Sequence, residues 1–122
     1  MKYFKCHSLK HKYEKVLFIP NKYTEIGPDA FKKTNFEIII LPDNIRKIHS
    51  LAFSGVKNCS IYLPPSILEI DVSAFDKVTI GIKIYCERNS TVHNYCLEHQ
   101  IDFSYFVTSL LNKAYILINK QT

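Results

Sequence analysis

The chain repeats itself every 22 residues, and that period limits the fold more than any other feature. Pro20, Pro42 and Pro64 mark the three copies. Six residues after each proline stands Ile26, Ile48 or Ile70, ten after stands Ala30, Ala52 or Ala74, and eleven after stands Phe31, Phe53 or Phe75. The residue before each proline is apolar (Ile19, Leu41, Leu63), as is the one two earlier (Leu17, Ile39, Ile61), and Tyr23, Ile45 or Ile67 follows three later. Seven columns in register over three gap-free copies mean a solenoid, in which each unit buries its apolar face only against its neighbours. Solenoids are commonly binding surfaces, so the repeat bears on function as well.

The copies read LFIPNKYTEIGPDAF, IILPDNIRKIHSLAF and IYLPPSILEIDVSAF. This pattern resembles the BspA-like (Treponema-type) leucine-rich repeat, whose distinctive part is the Ala-Phe pair at a fixed distance from the Ile-x-Pro strand. The stretch IKIYCERNSTVHNYCLEHQIDF, with Ser90, Tyr95, Ile101 and Phe103, resembles the strand, short helix and Ile-x-Phe with which arrays of this family end; Cys96 stands where the family tends to have alanine. The resemblance covers about residues 16 to 106. It implies an α/β repeat solenoid: a β-rich, right-handed leucine-rich-repeat superhelix with parallel strands on its concave face and a short C-terminal helical cap. It also implies a non-enzymatic protein–protein interaction module, typically in surface adhesion or host-protein binding.

The organisation follows from the columns. Residues 1–15 are an N-terminal cap or partial repeat, 16–86 hold three 22-residue repeats and the strand of a fourth, and 87–122 form a C-terminal cap. Capping is needed because a solenoid otherwise exposes apolar core and open strand edges. Alternation along each strand sends residues 17, 19, 39, 41, 61 and 63 inward. Ile26, Ile48, Ile70 and the three phenylalanines complete the expected core. A strict 22-residue step would bury Lys83 in the fourth strand, so a register one residue shorter is expected, with Ile82 and Ile84 inward and Tyr85 at the proline position. Asn89 or Ser90 is placed to cap a helix running to about His99, with Val92, Tyr95 and Cys96 on its inner side. The apolar tail SLLNKAYILIN fits either a helix or a strand.

Composition narrows the partners. The first 15 residues carry five lysines and no apolar signal core, and nothing approaches a membrane span, which gives a cytoplasmic expectation for a family often found at cell surfaces. Residues 1 to 33 carry a net charge of +5 and the remainder balances, so the basic character sits at one end. Lys2, Lys5, Lys10, Lys12 and Lys15, interleaved with Tyr3, Phe4 and Tyr13, form a candidate basic patch for nucleic acid or an anionic surface. Lysines also decorate solubilising caps, and that reading is favoured.

Chemistry has little support in the sequence. His93, Cys96 and His99 are spaced i, i+3, i+6, but on a helix the two histidines point about 120° apart, a poor start for zinc. The expectation is a reduced, buried Cys96 and two solvated histidines, with Cys6, Cys59 and Cys86 also free thiols. Glu69 and Asp71 fall on repeat turns without a partner. No nucleophile motif or phosphate-binding loop occurs, so no catalysis and no cofactor are expected.

The strand face opposite the core is the candidate binding surface: Phe18, Ile38, Ile40 and Tyr62, with Val16, Ser60 and Lys83 beside them. Exposed, it would be an apolar patch large enough to signify a partner. The alternative is that the chain's own ends or a second copy cover it, so self-assembly into a homodimer stands as the second reading.

Overall fold

The computed structural model describes residues 3–6, 15–32, 34–76 and 80–106. Among the described residues nine short strands and one helix succeed one another. Strands β2 (Val16–Phe18), β4 (Ile38–Ile40), β6 (Ser60–Tyr62), β8 (Lys83–Cys86) and β9 (Phe103–Tyr105) make one parallel sheet in that order. Strands β1 (Tyr3–Phe4), β3 (Glu25–Ile26), β5 (Lys47–Ile48) and β7 (Glu69–Ile70) make a second parallel sheet. The helix α1 (Thr91–His99) follows β8. The result is a parallel-strand β-solenoid of about four turns with one short helix near the C-terminal end.

The repeated columns explain this path. Each coil enters along a strand of the larger sheet, turns after its proline, and crosses the core through the isoleucine column, which forms the second sheet. Leu17, Ile39 and Ile61 are buried behind the larger sheet, and Ile26 and Ile48 behind the smaller; Ile70, at the last coil, is partly buried against the same core. A further set of backbone bonds joins the coils at the Ala-Phe pairs: Phe31 N–H donates to Ala52 O at 2.9 Å and Phe53 N–H to Ala74 O at 2.7 Å. The fully buried Ala52 and nearly buried Ala30 fit here because backbones crowd at these rungs.

The phenylalanines form one stack through the core. Ring centroids of Phe31 and Phe53, and of Phe53 and Phe75, are 4.8 Å apart, which matches the strand spacing of about 4.8 Å. Phe4 extends the stack at 5.5 Å from Phe31. Tyr3 and Phe4 lie one period before Glu25 and Ile26 and pair with them, a strand that the apolar columns alone do not show. Glu69 is likewise in strand β7 rather than in a turn, and its carboxylate lies 3.4 Å from Lys47 on the neighbouring strand.

The fourth strand corrects the expected register. Tyr62 pairs with Tyr85 and Ile61 with Ile84, a step of 23 residues rather than 21. The same rung recurs: Leu41 N–H donates to Tyr62 O at 3.1 Å, and Leu63 N–H to Tyr85 O at 2.9 Å. The extra residue falls between Phe75 and Lys83, where Gly81 takes a φ of +72°. Lengthening the turn puts Ile84 and Cys86 fully inside, a solution that spares Lys83 as well as shortening would have.

At the C-terminal end, Ser90 Oγ accepts a hydrogen bond from His93 N–H at 3.1 Å and so caps α1. Val92, His93, Tyr95 and Cys96 face inward. The tail 107–122 lies outside the described residues.

Candidate recognition surface

The outward face of the larger sheet carries two ladders fixed by strand pairing. One is Val16, Ile38, Ser60 and Lys83; the other is Phe18, Ile40, Tyr62 and Tyr85. Tyr85 joins the second ladder because of the 23-residue step; the shorter register would have sent it to the proline position. Its ring stacks on Tyr62 with centroids 4.4 Å apart and planes 10° from parallel. Phe106 meets Tyr62 edge-on at 5.4 Å, and the Lys83 ammonium lies 5.7 Å from the Tyr85 centroid, within cation–π range.

The face is only partly open. Phe18, Ile38, Tyr62 and Tyr85 are half-buried, and Val16 is exposed. Ile40 is 7% exposed, so the expectation of an exposed ladder does not hold at its centre. Burial pushes the Tyr62 hydroxyl above the ordinary tyrosine range, and the neighbouring Tyr85 adds to the shift. The two stacked rings are apolar plates with polar tips, the kind of side chain that serves well at an interface.

Of the candidate basic patch, Lys5 and Lys15 are exposed, while Lys2, Lys10 and Lys12 lie outside the described residues.

The cap histidines differ from expectation. His93 is buried rather than solvated: its Nδ1 accepts from Asn89 N–H at 2.9 Å and its Nε2 lies 3.3 Å from the Tyr105 hydroxyl. Strand β9 brings Phe103 and Tyr105 over it, which no helical spacing reveals. His99 is exposed and stacks on Tyr95 at 4.0 Å. Cys96 and Cys86 are buried and hydrogen-bond each other, which lowers the Cys86 thiol pKa and, with burial, raises that of Cys96. Burial pushes Cys59 up to about 12. None of the four cysteines is in a disulfide. Among the described residues no three His, Cys, Asp or Glu side chains are grouped to hold a metal ion, and no helix is long and apolar enough to cross a membrane.

A stack of parallel strands, a buried phenylalanine column and short crossovers define a leucine-rich-repeat solenoid. The family model of the BspA type leucine-rich repeat region matches residues 2–115 as six copies, and the chain belongs to that family. No curated protein and no solved structure gives a match. Solenoids of this family are typically non-enzymatic scaffolds for protein interaction, and the family points to a protein partner.

Proposed function

We propose that the chain binds a protein partner through the outward face of its larger sheet, with Phe18, Ile38, Tyr62 and Tyr85 as the contact residues. The observation that carries this reading is the stacked Tyr62–Tyr85 pair, half-buried and edged by Phe106, on a face turned away from the core. Large aromatic residues ordered before contact lose little freedom on binding, and such residues concentrate the binding energy of interfaces. Ile40 belongs to the same ladder but is already buried, so it is not among the contact residues. Adhesion or host-protein binding is the context that the family resemblance favours.

The test is quantitative capture from native lysate, followed by affinity measurement on the partner so identified. Tyr62→Ala and Tyr85→Ala should each weaken binding on the order of 30-fold, the effect of losing about 2 kcal/mol. Lys5→Ala and Lys15→Ala should change it little. Light scattering over a range of concentrations separates a foreign partner from a second copy: a dimer that Tyr62→Ala dissociates would move the assignment to self-assembly.

A further inference from the structure

The smaller sheet ends, at β7, on an edge that no other described strand fills. At each interior step, backbone carbonyls of one coil accept from amides of the next: Thr24 O accepts from Arg46 N–H at 2.7 Å, and Arg46 O from Leu68 N–H at 2.8 Å. Likewise Phe4 O accepts from Gly27 N–H at 2.8 Å, Ile26 O from His49 N–H at 3.0 Å, and Ile48 O from Asp71 N–H at 2.9 Å. One period further on stand Leu68 O and Ile70 O. Among the described residues, strand β7 pairs only with β5 and is the last in its sheet.

The next coil supplies a helix where the array calls for a strand. Thr91, which opens α1, lies 22 residues after Glu69. A helix spends its backbone groups on itself, so it cannot continue the ladder. It reaches the edge with one side chain: the Tyr95 hydroxyl lies 3.2 Å from Asp71 O and 3.3 Å from Val72 O, which closes the far end. Between Leu68 and Ile70 no described residue pairs with the edge, and a groove of about 560 Å³ runs between β7 and α1.

The lining of that groove selects its occupant. Leu68 and Val72 are 66% and 79% exposed, so each offers an apolar contact to whatever lies along the edge. Glu69, Asp71 and Glu98 put three carboxylates around it against the single ammonium of Lys47. Asp71 is held ionised, its carboxyl lowered by hydrogen bonds from the Ser73 hydroxyl and amide. The groove is thus acidic on a chain whose net charge is +5.

We propose that this groove binds an extended peptide of alternating apolar and lysine or arginine residues, which adds as a fifth strand to β7. Its amides would donate to Leu68 O and Ile70 O, its apolar side chains would lie on Leu68 and Val72, and its cations would meet Glu69, Asp71 and Glu98. Edge addition of this kind draws affinity from main-chain bonds and specificity from alternate side chains. The site is separate from the Tyr62–Tyr85 face, and either assignment stands without the other.

The probe is a capped synthetic Lys-Val-Lys-Val-Lys-Val hexapeptide titrated into the ¹⁵N-labelled full chain. Amide shifts should be saturable and centred on residues 68–72 and 91–98. Of two versions N-methylated at alternate amides, one should bind like the parent and the other roughly tenfold more weakly, since only one set of amides faces the strand. A Glu-Val version and the exposed-site variant Glu98→Lys should each bind roughly tenfold more weakly, with a loss that shrinks as salt rises. Tyr62→Ala should leave peptide binding unchanged. Equal loss for both methylated peptides, loss for neither, or shifts centred on the Phe18–Tyr62 face would overturn the proposal. Concentration-dependent shifts of residues 68–72 without peptide would overturn it too, by making a second copy the occupant.

Discussion

The coils between Val16 and Asp76 and the segment from Ile80 to Phe106 obey the same packing rules with different strictness. In the first region every column recurs at 22 residues, and the rings of Phe31, Phe53 and Phe75 stack at a constant 4.8 Å. In the second, one residue is added, a helix replaces a strand of the smaller sheet, and Tyr95 at 5.9 Å from Phe75 stands where a fourth phenylalanine would. Regular spacing makes a core; departures from it make the surfaces that differ from coil to coil. Both proposed sites owe something to the break. Tyr85 meets Tyr62 because of the added residue, and the groove beside β7 exists because α1 cannot pair with it.

The largest expected effect tests the regular region. Phe53→Ala should destabilise the fold by roughly 3–5 kcal/mol in denaturant unfolding, because both faces of the ring lose a stacked neighbour in a site with no exposure. Phe75→Ala should cost less, since that ring is already at the edge of the stack. Equal losses would mean that the stack does not weaken where the regular coils end.

A smaller effect probes the turn that carries the added residue. Gly81 has a left-handed backbone, and a Cβ there would clash with Asn58 Oδ1. Gly81→Ala should cost on the order of 1–2 kcal/mol by thermal unfolding, from backbone strain and from the turning aside of the Asn58 side chain. Gly55, with a φ of +79° and open space around it, should cost about 1 kcal/mol on the same change. If Gly81→Ala were the milder of the two, Asn58 would not crowd Gly81.

These two regions also explain what the sequence discloses. Apolar columns with prolines specify where the strands at Ile38–Ile40 and Ser60–Tyr62 lie, because a one-residue slip there would turn Ile39 and Ile61 outward. Around Lys83 the pattern IGIKIYC offers isoleucines on one alternation in either a shorter or a longer register, so the columns determine the face and leave the step open. The decision rests on the Gly81 turn, which apolar spacing does not encode. For the same reason Tyr85 does not stand out as a surface residue, although its aromatic neighbour Tyr62 does. The burial of His93 depends on β9, a long-range contact that a local pattern lacks. The smaller sheet was legible only as an isoleucine column, since two-residue strands leave no alternation to read.

Two finer perturbations sharpen the comparison at the C-terminal end. Ser90→Ala removes the cap on α1 and should cost about 1 kcal/mol in chemical denaturation. A double-mutant cycle between Tyr62→Ala and Tyr85→Ala should give a coupling of roughly 0.5–1.5 kcal/mol, as stacked aromatic pairs do. No coupling would mean that the two rings are not neighbours and that the 23-residue register is wrong.

The central functional claim rests on which side chains the partner touches. The most direct measurement compares the affinity of the captured partner for Tyr62→Ala and Tyr85→Ala with that for Lys5→Ala and Lys15→Ala, with the fold checked by circular dichroism. The account expects about a 30-fold loss for each tyrosine change and less than about a twofold loss for each lysine change. Loss with the lysine variants and none with the tyrosine variants would contradict it and move recognition to the basic N-terminal end.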